Sequence, residues 1–81
     1  MRTELMKSIE AELEALGAEN CKFHSVDFNG DGENTLGITF DHTGTTHRMA
    51  VVKPAKYTLD DAALVLKRWA LETVDATNHK G

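Results

Sequence analysis

One cysteine and one proline occur in the 81 residues, and no apolar run approaches the length that crosses a bilayer. A lone Cys21 excludes an internal disulfide and a thiolate-rich zinc site, and it fits a reducing compartment. With so few prolines and an average share of glycine, the chain is neither a linker nor a low-complexity segment. Positive charge is also short. Nine Lys and Arg against thirteen Asp and Glu leave a net charge of −4, and no basic run exceeds Lys67-Arg68. The stripe that a phosphate backbone needs is therefore missing from the sequence pattern. Gly30 and Gly32 sit between strand patterns and do not open a helix, so they do not make a phosphate loop. Neither Gly-x-Ser-x-Gly nor His-Glu-x-x-His occurs. The start, Met1-Arg2-Thr3-Glu4, leads into an acidic amphipathic pattern and not into a signal or transit peptide, so the expected location is the cytoplasm.

What is present reads as one domain over residues 1–74, followed by a flexible polar tail over 75–81. Residues 3–16 place Met6, Ile9, Leu13 and Leu16 at three-four spacing, the mark of a helix with one apolar stripe. Thr3 is its expected N-cap and Gly17 its stop. Residues 21–28 read as a first strand with mixed parity. Cys21 and Phe23 fall on one face and Val26 and Phe28 on the other, which a bulge near Ser25 would reconcile. Residues 35–41 and 46–53 read as two further strands around a turn at Thr43-Gly44. Centring the turn there pairs Phe40 with His47, Ile38 with Met49 and Leu36 with Val51, which puts the large apolar side chains on one face. Residues 58–73 read as the second helix, with Thr58 as N-cap, Asp61 three residues on, and an apolar stripe of Leu59, Ala62, Ala63, Leu66, Trp69 and Ala70. Trp69 is expected in the core, with an exposed partner anchor as the alternative.

Two amphipathic helices and a one-sided sheet bury their apolar surfaces only if both helices cover the same sheet face. The expected fold class is α+β: a two-layer arrangement of helix, three-stranded antiparallel sheet and helix. The opposite sheet face, with Thr39, Asp41, Thr46 and Arg48, is then the candidate binding surface, and Asp41 and Arg48 are expected to pair diagonally.

No catalytic residues are assigned and no cofactor is expected. The sharpest local pattern is Asp27-Phe28-Asn29-Gly30-Asp31-Gly32, which matches the first half of an EF-hand loop. Its twelfth position, where a bidentate Glu belongs, is Ile38, and its flanks read as strands. A turn rich in residues that tolerate positive φ is the plainer reading. If a cation binds, Asp27, Asn29 and Asp31 would hold it. His24, His42 and His47 do not form an obvious convergent set, with His42 expected in the turn, and surface histidines are the plainer reading. Nothing near Cys21 supplies a base, so it reads as a buried structural thiol.

The element order, with Leu16-Gly17-Ala18-Glu19 after the first helix and a short hairpin leading to a capped second helix, resembles the double-stranded-RNA-binding fold. It is similar to HicA-type toxins and to small phage-encoded proteins built on that plan. The resemblance implies duplex-RNA binding, or RNA cleavage by a motif histidine. This chain departs from both patterns: Asn34-Thr35-Leu36-Gly37 stands where the toxins carry a Gly-Ser-His-like motif, and the second helix begins with the acidic Thr58-Leu59-Asp60-Asp61. A toxin-like ribonuclease would need His24, His42 or His47 in that role. RNA binding would need Lys22, Arg48, Lys53, Lys56, Lys67 and Arg68 in one patch. The leading expectation is a small non-enzymatic binding protein, of the phage or prophage accessory type, that docks on a host or defence protein in the host cytosol. Self-association through sheet edges is a further expectation.

Overall fold

The computed structural model describes residues 3–25, 35–52 and 57–78. Its elements run α1 (Glu4–Ala15), β1 (Glu19–Ser25), β2 (Thr35–His42), β3 (Thr45–Val52) and α2 (Leu59–Asn78), an α+β fold in the expected order. The sheet is antiparallel with β2 in the centre, so β1 and β3 are its two edges. The Asp27–Asn29–Asp31 turn lies outside the described residues, as do Val26, Phe28, Lys53 and Lys56.

α1 begins where the Thr3 side chain accepts a hydrogen bond from the Met6 amide at 3.1 Å. It stops at Gly17, whose φ of +105° is open to glycine at little cost. Two bonds then close the end: the Ala18 amide to the Leu13 carbonyl, and the Gly17 amide to the Glu14 carbonyl. That is a Schellman ending, and buried Ala18 joins Leu13 in the core beneath it. α2 opens on a reciprocal capping box. The Thr58 amide donates to the Asp61 carboxylate at 2.9 Å, and the Asp61 amide donates to the Thr58 hydroxyl at 3.1 Å.

The helix does not end at Thr73. It runs on to Asn78, which corrects the expected tail for residues 75–78. Val74 is the reason: it extends the four-residue rhythm of Leu66 and Ala70 and is fully buried. Beyond it, the Asn78 side-chain amide donates to the Leu16 carbonyl at the end of α1.

The register between β2 and β3 is the expected one: Leu36 opposite Val51, Ile38 opposite Met49 and Phe40 opposite His47. Thr43 and Gly44 form a two-residue turn with both φ positive, at +51° and +82°, the type I′ geometry that suits strand twist. On β1, Cys21 and Phe23 face the core. Within the described residues the register shift lies between Glu19 and Lys22, where Asn20 takes a φ of +56°; the bulge expected near Ser25 concerns Val26 and Phe28, which lie outside the described residues. The bulge therefore precedes the core residues of β1 and brings Phe23 opposite Ile38.

Met6, Ile9 and Leu13 of α1, Cys21 and Phe23 of β1, Leu36, Ile38 and Phe40 of β2, and Ala62, Ala63, Leu66, Ala70 and Val74 of α2 form one core. α1 packs on β1 and on α2, while α2 packs on β2 and β3. Each helix thus covers its own side of one sheet face.

Candidate functional site

The four sheet residues singled out from the sequence share the face away from the helices, but they do not form one bonded group. Thr39 is half-buried and its hydroxyl lies 2.8 Å from His24 Nε2, in a hydrogen bond across to β1. Asp41 does not pair with Arg48. Its carboxylate accepts from the Thr46 hydroxyl at 2.6 Å and from the Asn20 side-chain amide at 2.9 Å. These two donors, Thr46 first, hold the Asp41 carboxyl below its ordinary range. The expected Asp41–Arg48 pair is therefore replaced by a clamp in which one carboxylate ties the β1 bulge to the start of β3. A recess of about 310 Å³ lies beside it, lined by Glu19, Asp41, His42, Thr43, Gly44 and Thr46. With both oxygens engaged and the charged form favoured, Asp41 is fixed as a structural anion and is poorly placed to exchange a proton.

The histidines diverge. His24 points to the open face, whereas His47 stacks on Phe40 with ring centroids 5.1 Å apart on the helix side. His42 is not a turn residue. It continues the Leu36, Ile38, Phe40 alternation onto the core face and is 3% exposed, and its Nδ1 is buried with no hydrogen-bond partner among the described residues. Its Nε2 edge lies under Gly17, where a Cβ would approach it to 3.6 Å. Among the described residues, no three His, Cys, Asp or Glu side chains converge as metal ligands. Burial, followed by the nearby charges of Glu14, Glu10 and Asp41, pushes the Cys21 thiol up to about 11. At neutral pH it is a protonated core side chain.

The cations are also split between layers. Lys22 and Arg48 flank Thr39 on the open sheet face, while on the helix side Lys67 pairs with Glu12 at 3.0 Å and Arg68 with Glu72 at 3.6 Å.

The edges of the sheet carry more information than its face. The Phe23 amide donates to the buried Glu10 carboxylate at 3.1 Å. It therefore points away from β2, and Phe23–Ile38 is a non-hydrogen-bonded pair. Alternation then aims the Ile38 amide and carbonyl at Met49 on β3, and the backbone groups of Thr46, Arg48, Ala50 and Val52 point outward from the sheet. The same parity makes His42–Thr45 the bonded pair next to the turn, as a two-residue hairpin requires.

α2 packs on β2 and β3, so its side away from α1 faces the β3 flank of the sheet. Lys67 reaches Glu12 and so marks the side toward α1. At about 100° per residue, Val65 and Trp69 turn from Leu66 in the opposite direction, toward β3. Trp69 is 43% exposed, which corrects its expected place in the core, and Val52 at the end of the edge is 53% exposed. Met49 and Val51 are only partly covered. Backbone groups unpaired among the described residues, half-covered aliphatics and an exposed tryptophan thus fall on the same flank.

Set against protein-family models, curated proteins and solved structures, the chain matches none of them.

Proposed function

We propose that this chain is a small non-enzymatic docking protein that receives a strand of its protein partner along the free edge of β3, under the overhang of Trp69. The single observation that carries the reading is the outward row of backbone groups on β3; a 43% exposed tryptophan on the side of α2 away from α1 supports it. Strand addition draws affinity from main-chain hydrogen bonds and selectivity from alternate side chains, and both are available here. A tryptophan that a docked strand would bury is also a typical anchor of binding energy. The topological resemblance to small phage proteins points to host cytosolic proteins as the first place to look for the partner.

The test compares three baits: the wild type, Ala50→Pro and Trp69→Ser. The Ala50 amide points outward, so proline there removes a docking donor without removing a bond to β2. A partner held by the wild type and lost from both folded variants is the expected result. A partner held equally by all three would place the interface elsewhere.

A further inference from the structure

The edge of β3 is also self-complementary, and we infer that it pairs antiparallel with β3 of a second copy, about a two-fold axis at Met49. The inference rests on the same reading of that edge as a strand acceptor. The outward groups belong to residues 46, 48, 50 and 52, so a two-fold at Met49 sets Arg48 opposite Ala50 of the second copy, and Thr46 opposite its Val52. Met49 then meets Met49, and His47 meets Val51, on the face that the helices cover. Arg48 is the only formally charged residue of β3, and in this register it faces alanine. Moving the axis by one residue toward the turn would set Arg48 against Arg48, which like-charge repulsion disfavours. The strand contains no proline or glycine, and among the described residues no side chain caps its outward amides, in contrast to Glu10 on β1.

Size limits the strength of the pairing. A standard interface takes roughly 800 Å² from each partner, about a sixth of the 5090 Å² surface. Eight strand residues at about 3.3 Å each, seen through two layers, present somewhat less than that. The expected dimer is therefore of the weak, exchanging class. Each pairing across the axis occurs twice, so a change at Ala50 acts twice.

Sedimentation equilibrium of the full chain from about 10 µM to about 1 mM tests this, a range suited to a small interface. The expected result is a mass that climbs from one copy toward two. Ala50→Glu sets a carboxylate opposite Arg48 of the second copy and should lower the midpoint about threefold or more. Ala50→Arg sets like charges there and should hold the mass at one copy. Ala50→Pro should do the same while keeping the wild-type circular dichroism, and the Glu/Arg contrast decides the matter if the proline variant does not fold. A single-copy mass for the wild type throughout overturns the pairing, as does a dimer indifferent to all three changes. Neither result touches strand docking of another protein, which stands or falls on partner capture by the wild type against Ala50→Pro.

Discussion

Along β1, the outward amide of Phe23 is taken by Glu10, and α1 closes over the strand with Met6, Ile9 and Leu13 fully buried. Along β3, the corresponding row of backbone groups has no such carboxylate among the described residues, and α2 presents Trp69 and Val65 at its outer side where α1 presents Glu10. The two flanks of one small sheet are thus finished differently. A short edge strand is a liability that is normally covered or charged. Here Glu10 guards one edge at Phe23, and the other carries a single arginine. The difference teaches where to look for function: in an edge left available, more than in a reaction site.

The largest expected effect comes from emptying each flank in turn. Leu13→Ala on the covered flank should cost about 3 kcal/mol, whereas Met49→Ala on the open flank should cost about 1 kcal/mol, because Met49 is only partly enclosed. Urea midpoints of the two variants measure the contrast, and equal losses would break it. A smaller effect comes from removing the guard of β1. Glu10→Ala leaves the Phe23 amide buried without its acceptor and should cost about 1–3 kcal/mol. Glu10→Gln keeps an acceptor and should recover most of the loss. If neither variant moves the urea midpoint, Glu10 is no guard and the two edges are alike.

The smallest effect is expected where the flanks meet, at the Asp41 clamp. The folded state lowers the Asp41 pKa, so its contribution is present above the ordinary carboxylate value near 4 and is lost as pH falls through the lower folded value. Asp41→Asn should therefore remove part of the fall in thermal midpoint below about pH 4, while costing little at neutral pH. An unchanged acid limb would mean that Thr46 and Asn20 gain nothing from the charge.

Much of this arrangement is legible in the residue pattern. The pairing of β2 with β3 follows from alternation plus a two-residue turn, since any slip by one exposes Ile38 and Phe40. Both helix starts follow from Thr3 and Thr58. The position of His42 was also readable, because one more step of the Leu36, Ile38, Phe40 alternation reaches the core face. Val74 likewise continues the stripe of α2 and marks its added length. Other features were not readable. The bulge at Asn20 is set by a left-handed backbone that leaves no periodic trace. Trp69 lies within the apolar arc of α2, yet the arc does not tell where the underlying layer stops. Glu10 looks like any other helix acid until α1 is laid across β1, because its bond spans thirteen positions in the chain. Asp41 chooses Thr46 and Asn20 over Arg48 because the bulge brings the amide within reach.

The turn at Thr43-Gly44 has a consequence for the order of folding. A β-branched residue at a φ of +51° is strained by roughly 1–2 kcal/mol, a strain partly offset by the Thr43 hydroxyl donating to the His42 carbonyl. Even so, the β2–β3 hairpin joins sequence neighbours and belongs to the microsecond class of events, whereas α1 must find α2 across most of the chain. The hairpin is therefore expected to precede the helical layer, with the outer edge of β3 open from the first moments of the molecule's life. A nascent chain at high local concentration meets its neighbours through that strand before α2 has arrived to shield its apolar side. The edge that serves docking in the finished protein is the same one that competes with folding on the way there.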